Sequence, residues 1–133
     1  MKQKSDPQIK RLLRLAKAAS KKAYAPYSKY RVGAALLTAK GDIFTGANVE
    51  NASSGLTICA ERAAVVGAVA AGQRKFIAIA IYSPDEKNML YPCGSCLQVL
   101  AEFVEDMVIY STSANEQIQR TALKELLPRA FKC

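Results

Sequence analysis

The chain has 133 residues, half of them hydrophobic, which is enough for one globular domain with a buried core. No apolar run approaches the roughly 20 residues that a membrane-spanning helix needs, and no apolar stretch with a cleavage site follows the charged N-terminus. The sequence therefore predicts a cytoplasmic protein with no membrane segment and a single domain over residues 1–133.

The formal net charge of +8 is concentrated near the N-terminus. Residues 1–31 contain ten Lys or Arg and one Asp, whereas the other 102 residues contain nine basic and ten acidic side chains. Such a basic helix can bind nucleic acid, but it is more often a solvated face. We therefore do not expect nucleic acid as a partner, although the basic segment keeps that alternative open.

A helix is predicted at the start of the chain. Asp6 is a typical N-cap, and Pro7 is favoured in the first turn. Pro26 disfavours helix in the residue before it, so we predict that the helix ends at about Tyr24. The apolar residues recur at helical spacing: Ile9, Leu12, Leu13, Ala16, Ala19 and Ala23.

A β-hairpin is predicted next, because two apolar runs at residues 30–38 and 43–49 flank a turn that contains Gly41. The polar run at residues 50–55 predicts a loop that leads to Cys59.

Helices and buried strands alternate through the rest of the chain. We predict helices at residues 60–71, 93–104 and 123–127, strands at 76–82 and 107–110, and a short strand near Ile118. This alternation indicates parallel neighbours in an α/β fold. The predicted architecture is a three-layer α/β/α domain with a mixed sheet of about five strands.

Three of the four cysteines fall at predicted helix starts. Cys93 and Cys96 are one helical turn apart, and Cys59 precedes another helix. Helix starts favour thiolates, and three thiolates would leave a tetrahedral zinc with one open position, as in a catalytic site. Two alternatives are a redox pair with C-x-x-C spacing and a closed structural zinc site with Cys133 as the fourth ligand.

Two charged residues, Glu61 and Arg62, lie two and three positions after Cys59. Glu61 is a candidate for taking a proton from a water activated at the metal and returning it to a substrate. Zinc with three thiolates has a formal charge of about −1, and a cation beside the sulfur atoms would offset it. Arg62 is the candidate for that compensation.

The run Cys59-Ala60-Glu61 followed by Pro92-Cys93-Gly94-Ser95-Cys96 resembles the signature of zinc-dependent deaminases of nucleosides and nucleotide bases. Residues 27–36, 48–52 and 125–128 further resemble the small homotetrameric cytidine deaminases, in the same order along the chain. The resemblance covers nearly the whole sequence, from about Ala23 to Phe131. It implies a cytidine deaminase-like fold.

The resemblance implies hydrolytic deamination of cytidine and deoxycytidine in pyrimidine salvage, with one zinc ion per subunit of a homotetramer. Cys59, Cys93 and Cys96 would bind the zinc ion, and Glu61 would transfer protons. Asn48 and Glu50 would contact the ribose hydroxyls, and Phe131 would reach a neighbouring subunit's site. The resemblance assigns substrate contacts to Tyr30, Asn48, Glu50, Asn51, Ser54, Ala60 and Phe131.

Four positions depart from what is usual in the resembled family. Tyr30 replaces a common phenylalanine, Ser54 lies in a stretch that often holds a tyrosine, Tyr91 replaces a serine, and Leu97 replaces an arginine. Two other functions are therefore considered: deamination of a modified nucleoside or of cytosine in RNA or DNA, and a non-catalytic zinc module that binds a partner.

Overall fold

A computed structural model describes residues 6–133. Lys2 and Lys4, which contribute to the basic N-terminal segment, lie outside the described residues. No helix of the described chain is long and apolar enough to cross a membrane. A 3₁₀ turn lies at Ser54–Leu56. The helices and strands are α1 (Pro7–Ser20), β1 (Gly33–Thr38), β2 (Ile43–Ala47), α2 (Ala60–Ala70), β3 (Phe76–Ser83), α3 (Gly94–Phe103), β4 (Val108–Ser113), β5 (Ile118–Ala122) and α4 (Leu123–Leu126).

The strands form one mixed sheet in the order β2-β1-β3-β4-β5. β3 and β4 are parallel, with Ala80 opposite Tyr110, and the other neighbouring pairs are antiparallel. β3 lies in the centre and is buried at seven of its eight positions, which explains its continuous apolar sequence. The predicted mixed sheet of about five strands is confirmed.

Helices cover both faces of the sheet. On one face, α1 packs Leu12 and Ala16 against Leu37 and Ala80. On the other face, the core is formed by α2 and α3 together with residues of α4 and the sheet. It includes Leu36, Ala64, Val65, Ile79, Ile81, Leu100 and Leu123. The three-layer α/β/α architecture is therefore confirmed.

The first helix is shorter than predicted. Asp6 caps α1 as expected and accepts a hydrogen bond from the N–H of Gln8 at 2.9 Å. The helix ends at Ser20 instead of Tyr24, because the Tyr24 N–H donates to the Asn48 carbonyl oxygen at 2.9 Å. The N–H of Glu50 donates in turn to the Tyr24 carbonyl oxygen at 2.8 Å. This pairing with the chain after β2 replaces the last helical turn.

Several strand boundaries also differ from the prediction. β1 begins at Gly33, not at residue 30, because the preceding backbone binds the Asn48 side chain. β4 continues through Ser113, past the predicted end at Tyr110, since its polar residues are paired and buried within the sheet.

The starts of α2 and α3 lie at the same edge of the sheet. β2 and β3 are both antiparallel to β1, so their carboxyl ends share one edge. α2 follows β2 and α3 follows β3, which directs both helix N-termini to that edge. This topology brings together sequence segments that are more than 30 residues apart.

α2 lies directly on the backbone of β2. A Cβ atom added at Gly46 would overlap the carbonyl oxygen of Ala60 and lie 2.6 Å from the Ala64 nitrogen. The absence of a side chain at Gly46 therefore lets the first turn of α2 rest against the sheet.

We expect Gly46→Ala to lower the free energy of unfolding by roughly 1–3 kcal/mol, because the methyl group would push α2 away from β2. Gly67→Ala is the matched control within α2, since its added Cβ has no neighbour within 4 Å. That control should raise stability by roughly 0.5–1 kcal/mol through helix propensity. Urea denaturation measures the free energy of unfolding of both variants, which should change in opposite directions. An unchanged free energy of unfolding for Gly46→Ala would contradict the close contact between α2 and β2.

Candidate metal centre

Three thiols converge at the shared edge. Cys59 is the N-cap of α2, Cys93 is the N-cap of α3, and Cys96 lies in the first turn of α3. Their sulfur atoms all lie within 4.8 Å of one another, and those of Cys93 and Cys96 are 3.5 Å apart. We call these three residues the thiol cluster.

The thiol cluster fits a zinc ion. Zinc–thiolate bonds of about 2.3 Å in tetrahedral geometry place sulfur atoms roughly 3.8 Å apart, close to the observed spacing. Within residues 6–133 the cluster contains three donors, and the exposed Cys133 is not among them. The arrangement therefore matches a three-ligand site better than a closed site with Cys133 as the fourth ligand.

The thiols differ in their tendency to ionise. A hydrogen bond from the Cys96 thiol, followed by the Arg62 guanidinium, lowers the pKa of Cys59 to about 5, against the opposing effect of burial. The same bond to Cys59, together with burial, raises the pKa of Cys96. The surroundings of Cys59 therefore favour its thiolate, whereas those of Cys96 favour the neutral thiol.

Arg62 lies beside the thiol cluster. Its Nη2 atom is 3.6 Å from the Cys59 sulfur and 3.2 Å from the Thr57 carbonyl oxygen. The Cys59 thiolate raises the pKa of Arg62, so the side chain remains a cation. Leu97, where the resembled family commonly has an arginine, packs in the core. Arg62 is therefore the cation that contacts the cluster.

A cavity of about 230 Å³ opens beside the cluster, and Glu61 lies in its wall. Glu61 is only 6% exposed. Burial is the main cause that raises its pKa to about 7, with a smaller contribution from Cys59. A buried carboxyl group beside a metal site is suited to proton transfer. The cavity is lined by Tyr30, Val32, Asn48, Thr57, Cys59, Ala60, Glu61, Leu90, Tyr91 and Cys93.

Three of the predicted substrate residues line this cavity: Tyr30, Asn48 and Ala60. Asn48 is buried, and its side chain also holds the chain before β1. Its Oδ1 accepts from the Val32 N–H at 2.9 Å, and its Nδ2 donates to the Tyr30 carbonyl oxygen at 2.8 Å. Asn48 thus positions the cavity wall that Tyr30 forms.

Glu50, Asn51 and Ser54 lie outside the residues that line the cavity. The Glu50 carboxylate accepts hydrogen bonds from the N–H groups of Tyr27 and Ser28, at 3.0 and 3.1 Å, and from the Ser28 hydroxyl. The Ser28 hydroxyl is the main cause that lowers the pKa of Glu50. In this chain Glu50 therefore holds the segment before Tyr30.

Phe131 also lies apart from the cavity, and its side chain is 72% exposed. Its backbone is held by the side chain of Gln98, which donates to the Phe131 carbonyl oxygen at 3.0 Å and accepts from its N–H at 3.2 Å. These bonds attach the C-terminal segment to α3.

Sequence reasoning did not assign Val32, Thr57 and Leu90 to the cavity. Val32 falls in the predicted first strand and Leu90 in the segment between the predicted strand at 76–82 and the helix at 93–104, and their positions in the cavity depend on contacts between distant segments. Thr57 carried a weak signal, because it lies two residues before Cys59. Tyr91 was identified only as a departure from the resembled family, and the structure places it in the cavity wall, 43% exposed.

Comparison with known proteins identifies one family. The family described as "Cytidine and deoxycytidylate deaminase zinc-binding region" matches residues 6–112. This match includes the whole thiol cluster and Glu61.

Two relatives named cytidine deaminase match most of the chain. One, from Sporosarcina psychrophila, is 44% identical over 92% of this chain and 90% of its own length. Another, from Halalkalibacterium halodurans, is 46% identical over 90% of this chain and 91% of its own length. The crystal structure of cytidine deaminase from Burkholderia pseudomallei is 46% identical and superposes with a TM-score of 0.87, covering 92% of this chain and 98% of that one. The chain belongs to the cytidine and deoxycytidylate deaminase family.

Proposed function

We propose that this protein is a zinc-dependent cytidine deaminase that converts cytidine and deoxycytidine to uridine and deoxyuridine with release of ammonia. The observation that supports this most strongly is the shared cavity of the thiol cluster and Glu61. Relatives named cytidine deaminase, matched over nine tenths of the chain, support the same reaction.

Cys59, Cys93 and Cys96 would hold one zinc ion per subunit. When bound, zinc supplies Lewis-acid activation of water, whose pKa it can lower to about 7. As the water oxygen bonds to C4, Glu61 would take one proton from the water and deliver it to N3 of the ring. The second proton would pass from the C4 hydroxyl to the amino group, so that the C4–N bond breaks and ammonia leaves. Arg62 balances part of the thiolate charge.

The remaining residues would bind the substrate. Tyr30 and Ala60 would contact the pyrimidine ring, since both line the cavity with Glu61. Asn48 and Glu50 would contact the ribose. The Glu50 carboxylate would accept a hydrogen bond from a ribose hydroxyl in addition to those from residues 27 and 28. The exposed loop that carries Asn51 and Ser54 would cover the bound nucleoside.

We further propose that the protein works as a homotetramer in the cytoplasm, within pyrimidine salvage. The resemblance to homotetrameric cytidine deaminases supports the assembly, and the exposed ring of Phe131 is accessible to a neighbouring subunit. Three thiols that must remain reduced support a reducing compartment.

The reaction is tested with zinc-loaded protein and a panel of cytidine, deoxycytidine, modified cytosine nucleosides, and cytosine-containing RNA and DNA oligonucleotides. We expect equal amounts of ammonia and uridine or deoxyuridine from the two free nucleosides. Conversion of oligonucleotides alone, with strong salt dependence, would assign the protein to polymer deamination instead. Zinc binding without conversion of any substrate would contradict the proposal and favour a binding module.

Glu61→Gln should retain its zinc content and its folded structure, but kcat should fall by at least roughly 100-fold, because the amide cannot accept and return the proton. Steady-state kinetics and zinc content are measured on the same sample. Glu105→Gln is the matched control, since Glu105 is exposed and outside the cavity. Full activity of Glu61→Gln would place proton transfer on another group.

Cys93→Ala should lose stoichiometric zinc, because two thiolates remain in the cluster. Cys133→Ala should keep one zinc per chain, because Cys133 lies outside the cluster. Metal analysis after dialysis against a weak chelator distinguishes them. Zinc loss from Cys133→Ala would support the closed four-cysteine site instead.

The assembly is tested by light scattering at the concentration of the activity assay. We expect a mass of about 58 kDa, four times the 14.4 kDa of one chain. An active monomer would remove Phe131 from the list of substrate contacts.

A further inference from the structure

The phenol of Tyr30 makes a contact that a phenylalanine could not make. Its hydroxyl donates to Oε1 of Glu86 at 2.7 Å, across 56 positions of sequence. Burial, and then the Glu86 carboxylate, raise the pKa of Tyr30 above its ordinary value, which keeps the phenol protonated as the donor. The ring in the cavity wall is therefore fixed at its outer end.

The backbone of Tyr30 is held as well. Its N–H donates to the Ser28 hydroxyl oxygen at 3.0 Å, and its carbonyl oxygen accepts from Nδ2 of Asn48 at 2.8 Å. With both the backbone and the hydroxyl bonded, the orientation of the ring depends on the position of Glu86.

Glu86 belongs to the loop at residues 84–92, which connects β3 to α3. The second carboxylate oxygen of Glu86 accepts from the Asn88 N–H at 3.1 Å, and its carbonyl oxygen accepts from the Ala114 N–H at 3.0 Å. The Glu86 side chain is thus attached to its own loop, and the Glu86 backbone to the chain after β4. Together these bonds give the Tyr30 hydroxyl a fixed acceptor.

A neighbouring ion pair ties the same two segments together. Asp85 accepts from the Arg31 N–H at 2.8 Å, from Nε at 3.0 Å and from Nη2 at 2.9 Å. The 84–92 loop continues to Leu90 and Tyr91, which form another part of the cavity wall, and then to Cys93. Residues 30 and 31 therefore bind the loop that carries Leu90 and Tyr91, another part of the cavity wall.

We propose that Glu86 is a positioning residue for substrate binding: through its hydrogen bond to Tyr30, it sets the distance between the Tyr30 wall and the Leu90–Tyr91 wall of the cavity. This inference rests on the proposed deamination of cytosine nucleosides. Glu86 acts through Tyr30 and is outside the cavity lining, so it shapes binding and takes no part in proton transfer.

Loss of this hydrogen bond should weaken nucleoside binding and leave the chemical step nearly unchanged, because Glu61 and the thiol cluster are untouched. Tyr30→Phe and Glu86→Ala should each raise KM for cytidine about 3- to 10-fold and change kcat less than about 2-fold. The double variant should raise KM no further than the single variants, since both remove the same bond. Glu86→Gln retains an acceptor, so its KM should lie closer to the wild-type value.

Glu105→Ala is the control for removal of an exposed carboxylate and should leave KM unchanged. Thermal unfolding of the wild type, Tyr30→Phe, Glu86→Ala and the double variant provides a readout that does not depend on substrate. The changes in unfolding temperature caused by the two substitutions should again be non-additive. Additive effects on both KM and unfolding temperature would overturn the proposal, as would a fall in kcat at unchanged KM. Wild-type protein that leaves all nucleosides unchanged would refute the proposed function, while the unfolding data would still decide whether Tyr30 and Glu86 are coupled.

Discussion

Three sulfur atoms held within 4.8 Å of one another are the constraint on which this structure depends. Thiolates at that separation repel, and the fold reduces the repulsion in two ways. The helix N-termini of α2 and α3 direct their dipoles at the cluster, and Arg62 lies against Cys59. The convergence of the two helix N-termini requires α2 and α3 to start at one edge of the sheet. The order of β2, β1 and β3 satisfies that requirement.

Apart from the first turn of α2, the cavity beside the cluster is lined by segments outside the helices and strands. Residues 30–32 precede β1, Asn48 follows β2, and Leu90 and Tyr91 precede α3. The positions of residues 30–32 are fixed by side-chain hydrogen bonds to backbone from Asn48, and Glu50 holds the segment before them in the same way. A rigid sheet therefore carries the metal-binding helix starts, whereas a network of polar bonds shapes the space for the ligand.

Local sequence patterns predicted the parts of the molecule that depend on local physics. The spacing of apolar residues and the Asp6 cap predicted α1, and the continuous apolar run predicted β3. The cysteine spacing predicted the thiol cluster. The misses share a different cause. The early end of α1, the polar extension of β4 and the contact of Tyr30 with Glu86 depend on partners far along the chain. No periodicity in the sequence reports such pairings, so only the folded chain reveals them.

The two bonds between Gln98 and the backbone of Phe131 order the C-terminal segment independently of any partner. A C-terminal tail usually samples many conformations, and fixing it on contact would oppose association through lost chain entropy. Here one amide side chain has already fixed the backbone while the ring stays outside. The backbone at Phe131 is therefore already ordered within the single chain. Association through this ring would cost less chain entropy than association through a free tail.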